Sequence, residues 1–155
     1  MNLLRRTFLK MSGGAGALAL AAAAGVLKPS SAAAAEWNEA GFAAKAVNDA
    51  LKSLGATDMI ESKDITITAP EIAENGAVVP VAVASKIPNT QSISILSEKN
   101  PFPLAASFNL SNGSDAYVST RLKLGETSNV RAVVKADGKF YTAAKEVKVT
   151  IGGCG

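Results

Sequence analysis

The chain has 155 residues, 48% of them apolar and only 5% aromatic, with one cysteine and no histidine. The Ser-His-Asp and Cys-His catalytic pairings therefore cannot be built within it, and zinc would find no ordinary ligand set. The formal charge of +3 arises at the N-terminus: residues 1–35 hold four of the sixteen basic residues and none of the thirteen acids. The remaining twelve basic residues against thirteen acids give −1, which leaves no basic face for nucleic acid.

The first 35 residues read as a secretory leader. Arg5 and Arg6 stand together ahead of Phe8-Leu9-Lys10, and an apolar stretch rich in Ala and Gly runs from Ala15 to Leu27. Small residues, Ser30 to Ala35, close it. A charged start, an apolar middle and an A-x-A end define a signal peptide, and the R-R-x-F-L-K pattern specifies the twin-arginine route. Cleavage is expected after Ala35 or one residue earlier, delivering the protein to the periplasm. A membrane anchor is the alternative, but a span needs about 20 strongly apolar residues, and this stretch is too short and too rich in small ones. No stable membrane insertion is expected after cleavage.

Residues 36–151 are expected to form one domain, a size at which a chain can bury its own core. A helix is predicted first, from Trp37 to Leu54, on the 3.6-residue stripe of Phe42, Ala46, Val47, Ala50, Leu51 and Leu54, with Gly55 as its stop. Strands follow. Ile65 and Ile67 alternate with threonines. Val78 to Ala84 is continuously apolar, and Pro80 within it predicts an edge or a bulge. Further alternating runs lie at Ile93–Ile95, Ala106–Leu110, Val118–Leu124 and Val130–Val134, and a last strand covers Lys139 to Ile151. Turn pairs separate them at Asn75-Gly76, Pro88-Asn89, Asn100-Pro101, Asn112-Gly113 and Asp137-Gly138, the last predicting a tight hairpin. Seven short strands so punctuated predict a mainly β fold, an immunoglobulin-like antiparallel sandwich with an N-terminal helix. The neighbouring acids Glu71 and Glu74 are expected to be solvated surface groups.

Residues 152–155 form a separate element, Gly152-Gly153-Cys154-Gly155. Cys154 is unpaired in an exported chain, sits next to the last residue, and is flanked by glycines that leave the backbone free. The nearest basic residue is Lys148. A thiol at its reference pKa of about 8.5 is only a few per cent thiolate at neutral pH, which makes a poor resident catalyst but a usable handle. From a strand ending at Ile151, the tail carries the sulfur out by about 10 Å, at roughly 3.3–3.6 Å per residue. A thin arm of this kind fits a narrow cleft in another protein, where the thiol would be activated. On the residues alone three readings stand: a covalent carrier, an adaptor whose tail cysteine forms an intermolecular disulfide, and a tail without a role. The position and flanks favour the carrier.

The sequence resembles the SoxY family, sulfur carriers of bacterial thiosulfate oxidation. The likeness is carried by AENGAVVPV from Ala73 to Val81, by YVSTRLKLGETSNVRAVVKADGKFY from Tyr117 to Tyr141, and by KEVKVTIGGCG from Lys145 to Gly155. The resemblance implies an immunoglobulin-like sandwich and a non-catalytic subunit without a cofactor. It further implies that Cys154 is the attachment point for substrate, with Gly152, Gly153 and Gly155 as its arm. The implied partners are SoxZ in a stable heterodimer, the c-type cytochrome SoxAX, the hydrolase SoxB and, where present, a sulfane dehydrogenase. The family's tail commonly carries one more glycine than this sequence, and the shorter tip is expected to leave carriage intact.

Overall fold

A computed structural model describes residues 37–111 and 113–150. The predicted leader (1–35) with Glu36, Asn112, and the tail from Ile151 through Cys154 to Gly155 lie outside the described residues. Among the described residues, two short helices, α1 (Glu39–Ala43) and α2 (Val47–Ser53), precede nine strands. These are β1 (Met59–Glu61), β2 (Ile65–Thr68), β3 (Ile72–Ala73), β4 (Val79–Ser85), β5 (Thr90–Ser97), β6 (Leu104–Asn109), β7 (Tyr117–Leu122), β8 (Ser128–Ala136) and β9 (Lys139–Val149).

The strands form two sheets. One runs in the order β1-β9-β8-β5-β6, with β3 added beside the far end of β9, and the other is β2-β4-β7. Their facing sides make the main core, in which Val79, Val81, Val83, Ile93, Ile95, Val130, Val134 and Val147 are almost wholly buried. Alternation explains this: every second side chain of a strand points inward, and each such Val or Ile contributes about 1.5–3 kcal/mol on burial. The sandwich predicted from the sequence is therefore the fold. The pairings are antiparallel except for β1 and β3, which run parallel to β9.

The Asp137-Gly138 hairpin joins β8 to β9 with φ of 48° and 75°, the left-handed pair that a two-residue turn between twisted strands requires. Pro80 is not at a sheet edge, because β4 is the central strand of its sheet. It pairs with Arg121 of β7, while the β2 pairing covers only Ala82 to Ser85, so its missing N–H leaves no gap in that ladder.

The single helix predicted over Trp37–Leu54 is two. Asn38 caps α1 by accepting a hydrogen bond from Gly41 N at 2.9 Å, and its Nδ2 donates to Ser53 O at 3.1 Å at the end of α2. That link folds the helices back on each other across extended residues at Ala44 and Ala46. Gly41 permits the close approach, since a Cβ there would lie 2.5 Å from Ser53 Oγ. Ala, Lys and Ala carry no local breaker, so tertiary packing overrides propensity here. The pair covers the outer face of the larger sheet, where Ala50, Leu51 and Ala56 pack with Leu96, Leu104 and Val133 in a second, smaller core. None of the described helices is long and apolar enough to cross a membrane.

Candidate functional site

The candidate site is the place where the chain leaves the sandwich toward Cys154. Gly152, Gly153, Cys154 and Gly155 lie outside the described residues, so the site is built from their anchorage. β9 is the longest strand, and its last turns of pleat are held on both sides. On one side β3 pairs parallel, with Ile72 opposite Lys148 and Ala73 opposite Val149. Lys148 N donates to Glu71 O at 2.9 Å and Thr150 N donates to Ala73 O at 3.2 Å. On the other side Val149 N donates to Thr127 Oγ1 at 3.0 Å. Three successive amides are thus bonded just before the arm begins, and the side chains of Val147 and Val149 lie in or against the core. Each such bond is worth about 0.5–1.5 kcal/mol net, so the root resists fraying.

The clamp is itself braced. The segment from β3 to β4 passes over the end of the sandwich through the Asn75-Gly76 turn, where Asn75 Oδ1 accepts from Ala77 N at 2.9 Å. Gly76 O accepts from Leu124 N at 2.7 Å. Gly76 is buried, and a Cβ there would stand 2.5 Å from Leu124 O and 2.8 Å from Val149 Cγ1. Only glycine lets this turn pack so closely onto β9. The neighbouring loop is pinned by Asn100, whose Nδ2 donates to Lys123 O at 2.7 Å and whose Oδ1 accepts from Gly125 N at 3.2 Å.

Around this root the surface is mixed. Ile72 and Val78 are exposed at 58% and 54%, beside the exposed carboxylates Glu71 and Glu74. The two acids flank β3 as surface groups, as their sequence context predicts. The apolar run of β4, by contrast, is a core strand, with Val79, Val81 and Val83 buried.

Among the described residues, hollows lie elsewhere. One, by the β8–β9 hairpin, is lined by Asp58, Met59, Ile60, Lys139 and Phe140. Another lies against Thr57, Met59, Glu61, Arg131 and Thr142 on the outer sheet face. The Arg131 guanidinium is already engaged: Nε donates to Glu98 Oε1 at 2.7 Å, and Asn129 Nδ2 donates to Glu98 Oε2 at 3.0 Å. Among the described residues no three metal-ligating side chains gather.

Comparison with known proteins decides the family. A profile for the sulfur oxidation protein SoxY matches residues 50–154, most of the chain and including Cys154. The chain belongs to the SoxY family. Membership gives it a role in sulfur oxidation within the Sox system. Among solved structures it is similar to the sulfur carrier protein SoxY from Chlorobium limicola f. thiosulfatophilum, at 47% identity and a TM-score of 0.62. That match covers 67% of this chain and 96% of the Chlorobium SoxY. A superoxide reductase (neelaredoxin) from Ignicoccus hospitalis matches at 22% identity and a TM-score of 0.50, over 56% of this chain and 80% of its own. A substituted form of that reductase gives 20% identity and a TM-score of 0.51, over 63% and 86%. These two share the fold alone. No curated protein matches.

The SoxY reading of the sequence named Cys154 and its glycines but missed the clamp: Glu71 to Ala73, Gly76 and Thr127. Ala73 and Gly76 lie in the stretch that carried the resemblance. A two-residue strand has no periodicity to reveal it, and a lone threonine in a loop gives no signal of the amide it will accept.

Proposed function

We propose that this protein carries sulfur intermediates covalently on the Cys154 thiol and presents them to partner enzymes. The observation that carries the reading is the triply bonded root at Lys148, Val149 and Thr150, from which the glycine-flanked cysteine follows four residues on. A firm base with a thin tip suits delivery. The domain supplies neither histidine nor, among the described residues, a metal cluster to activate a thiol, so activation falls to partners.

The chemistry follows from the thiol. Thiosulfate joins it oxidatively: the S–H bond is lost, an S–S bond forms, one proton leaves, and two electrons pass to the c-type cytochrome SoxAX. The product is a cysteine S-thiosulfonate. SoxB then adds water to the terminal sulfonate, releasing sulfate and one proton and leaving a persulfide, S–SH, on Cys154. A sulfane dehydrogenase, where present, oxidises that sulfur on the arm. The protein is then a substrate of each enzyme and a catalyst of none. Its stable companion is SoxZ. The leader over residues 1–35 takes the folded cargo to the periplasm by the twin-arginine route, and residues 36–151 and 152–155 divide the mature chain into body and arm.

Intact mass of the exported protein, before and after thiosulfate with an oxidant and again after a reductant, tests this. A reductant-reversible gain of one thiosulfate at Cys154, absent in Cys154→Ser, is expected. A permanent disulfide from Cys154 to one other chain would refute carriage and favour an adaptor.

A further inference from the structure

We propose that the rim formed by β3 and the turn after it, Glu71, Ile72, Glu74 and Val78, is the docking surface for the enzymes that receive the arm. The inference rests on the carrier reading. Its first ground is reach. Thr150 is fixed by its bond to Ala73 O, and Cys154 is four residues further. Even fully extended, that span is at most about 14 Å. A partner that takes the sulfur into a cleft has no slack to stand away from the body. Its mouth must close over the surface around Thr150.

The second ground is what that surface presents. Ile72 is opposite Lys148 in the β3–β9 register, and it is more than half exposed. Val78 lies two residues after Gly76, which packs on Val149, and it too is more than half exposed. Two large apolar side chains in one seven-residue segment, both over half exposed, gain by being covered. Glu71 and Glu74 stand beside them, exposed. The cargo is a sulfur oxyanion, so the receiving cleft must be electropositive, and carboxylates at its mouth steer and orient such a site. The partner that fits is a protein with a cationic cleft, wide enough only for a glycine-flanked strand, and an apolar lip.

The variants are Ile72→Ser, Val78→Ser, the pair together, and the charge-reversed pair Glu71→Lys with Glu74→Lys. Tyr117→Ser serves as a control. Tyr117 is also exposed, but it begins β7 at the end remote from Leu124 and the root. Each is assayed as the full mature chain with its co-purified companion, by thiosulfate-dependent reduction of the cytochrome at varied carrier concentration. The apolar pair is expected to raise KM for the carrier by roughly fivefold to thirtyfold, the range of a lost interface anchor, with kcat unchanged. Reaction of Cys154 with a small thiol reagent stays at the wild-type rate, because the arm is untouched. The charge-reversed pair is expected to slow association and to weaken its dependence on salt. The Tyr117→Ser control keeps the wild-type KM.

A folded Ile72→Ser, Val78→Ser pair with wild-type KM overturns the proposal while leaving carriage standing. Loss of the companion subunit on rim substitution also overturns it, since the rim would then be a permanent interface. A wild-type chain that takes up no thiosulfate removes the carrier reading, and the rim proposal with it.

Discussion

Replacing Gly76 by alanine should loosen the protein at the base of its arm. The new methyl group would lie 2.5 Å from Leu124 O and 2.8 Å from Val149 Cγ1, so the first contact must open by about 0.9 Å to reach the ordinary 3.4 Å. Neither neighbour yields freely: the Leu124 backbone is tied to Gly76 O at 2.7 Å, and Val149 N is bonded to Thr127. Overpacking of this kind costs about 1–3 kcal/mol. Alanine also narrows the unfolded ensemble, which returns about 0.4–1 kcal/mol. The net loss is about 1–2 kcal/mol, or a fall in Tm of roughly 5–10 °C for a domain a little over 100 residues long. Gly125→Ala is the matched control. The nearest atom to a Cβ there is Asn100 Oδ1 at 4.0 Å, so only the gain in the unfolded state remains and stability should hold or rise. Circular dichroism melts and urea titrations of the two variants give the comparison. The packing argument fails if Gly76→Ala melts at or above Gly125→Ala.

Thr127→Val removes the acceptor for Val149 N and should cost about 1 kcal/mol. Amide exchange should speed at Val149 and Thr150 while the amides of buried Val133 and Val134 keep their protection. Asn38→Ala removes both the cap of α1 and its bond to Ser53 O, a loss of about 1–2 kcal/mol. The sole tryptophan, Trp37, stacks on Phe42 with centroids 4.3 Å apart, so its emission should report the detachment of the helix pair.

Seven strands were legible, six because a period of two needs only a short run to declare itself and β4 because its apolar run is continuous. β1 and β3 were not, since three and two residues hold too little pattern, and their formation depends on the free edge that β9 offers them. The helix break at Ala44 to Ala46 was hidden for the opposite reason. An alanine-rich stretch has no local cause to stop, and the cause is the distant hydrogen bond from Asn38 to Ser53. Pro80 pointed to a sheet edge or a bulge, but β4 is the central strand of its sheet and the proline lies beyond the β2 pairing, where its missing N–H leaves no gap. At the site, the proposed attachment residue stood out by rarity: one cysteine, no histidine, glycines on either side. Its anchorage came from β3 pairing with a segment more than 70 residues away and from the bond between Thr127 and Val149, neither of which a single-sequence pattern announces.

The anchorage changes how the arm should be understood. A carrier with a loose base would spread its thiol over a wide volume, and a partner would have to wait for the tip to find its cleft. Here the last amides before the arm are bonded on both edges of β9, so the search is confined to what four residues can sweep. Confinement raises the effective concentration of the thiol at any cleft docked over the root, the same arithmetic that governs linked binding modules. It also makes delivery depend on docking: a partner that cannot seat against Ile72 and Val78 sees little of Cys154. On the proposed carrier reading, a thiol bearing reactive sulfur gains selectivity from a short leash on a firm post. Lengthening the arm should therefore broaden the range of proteins that react with the thiol while lowering its rate with the proper ones.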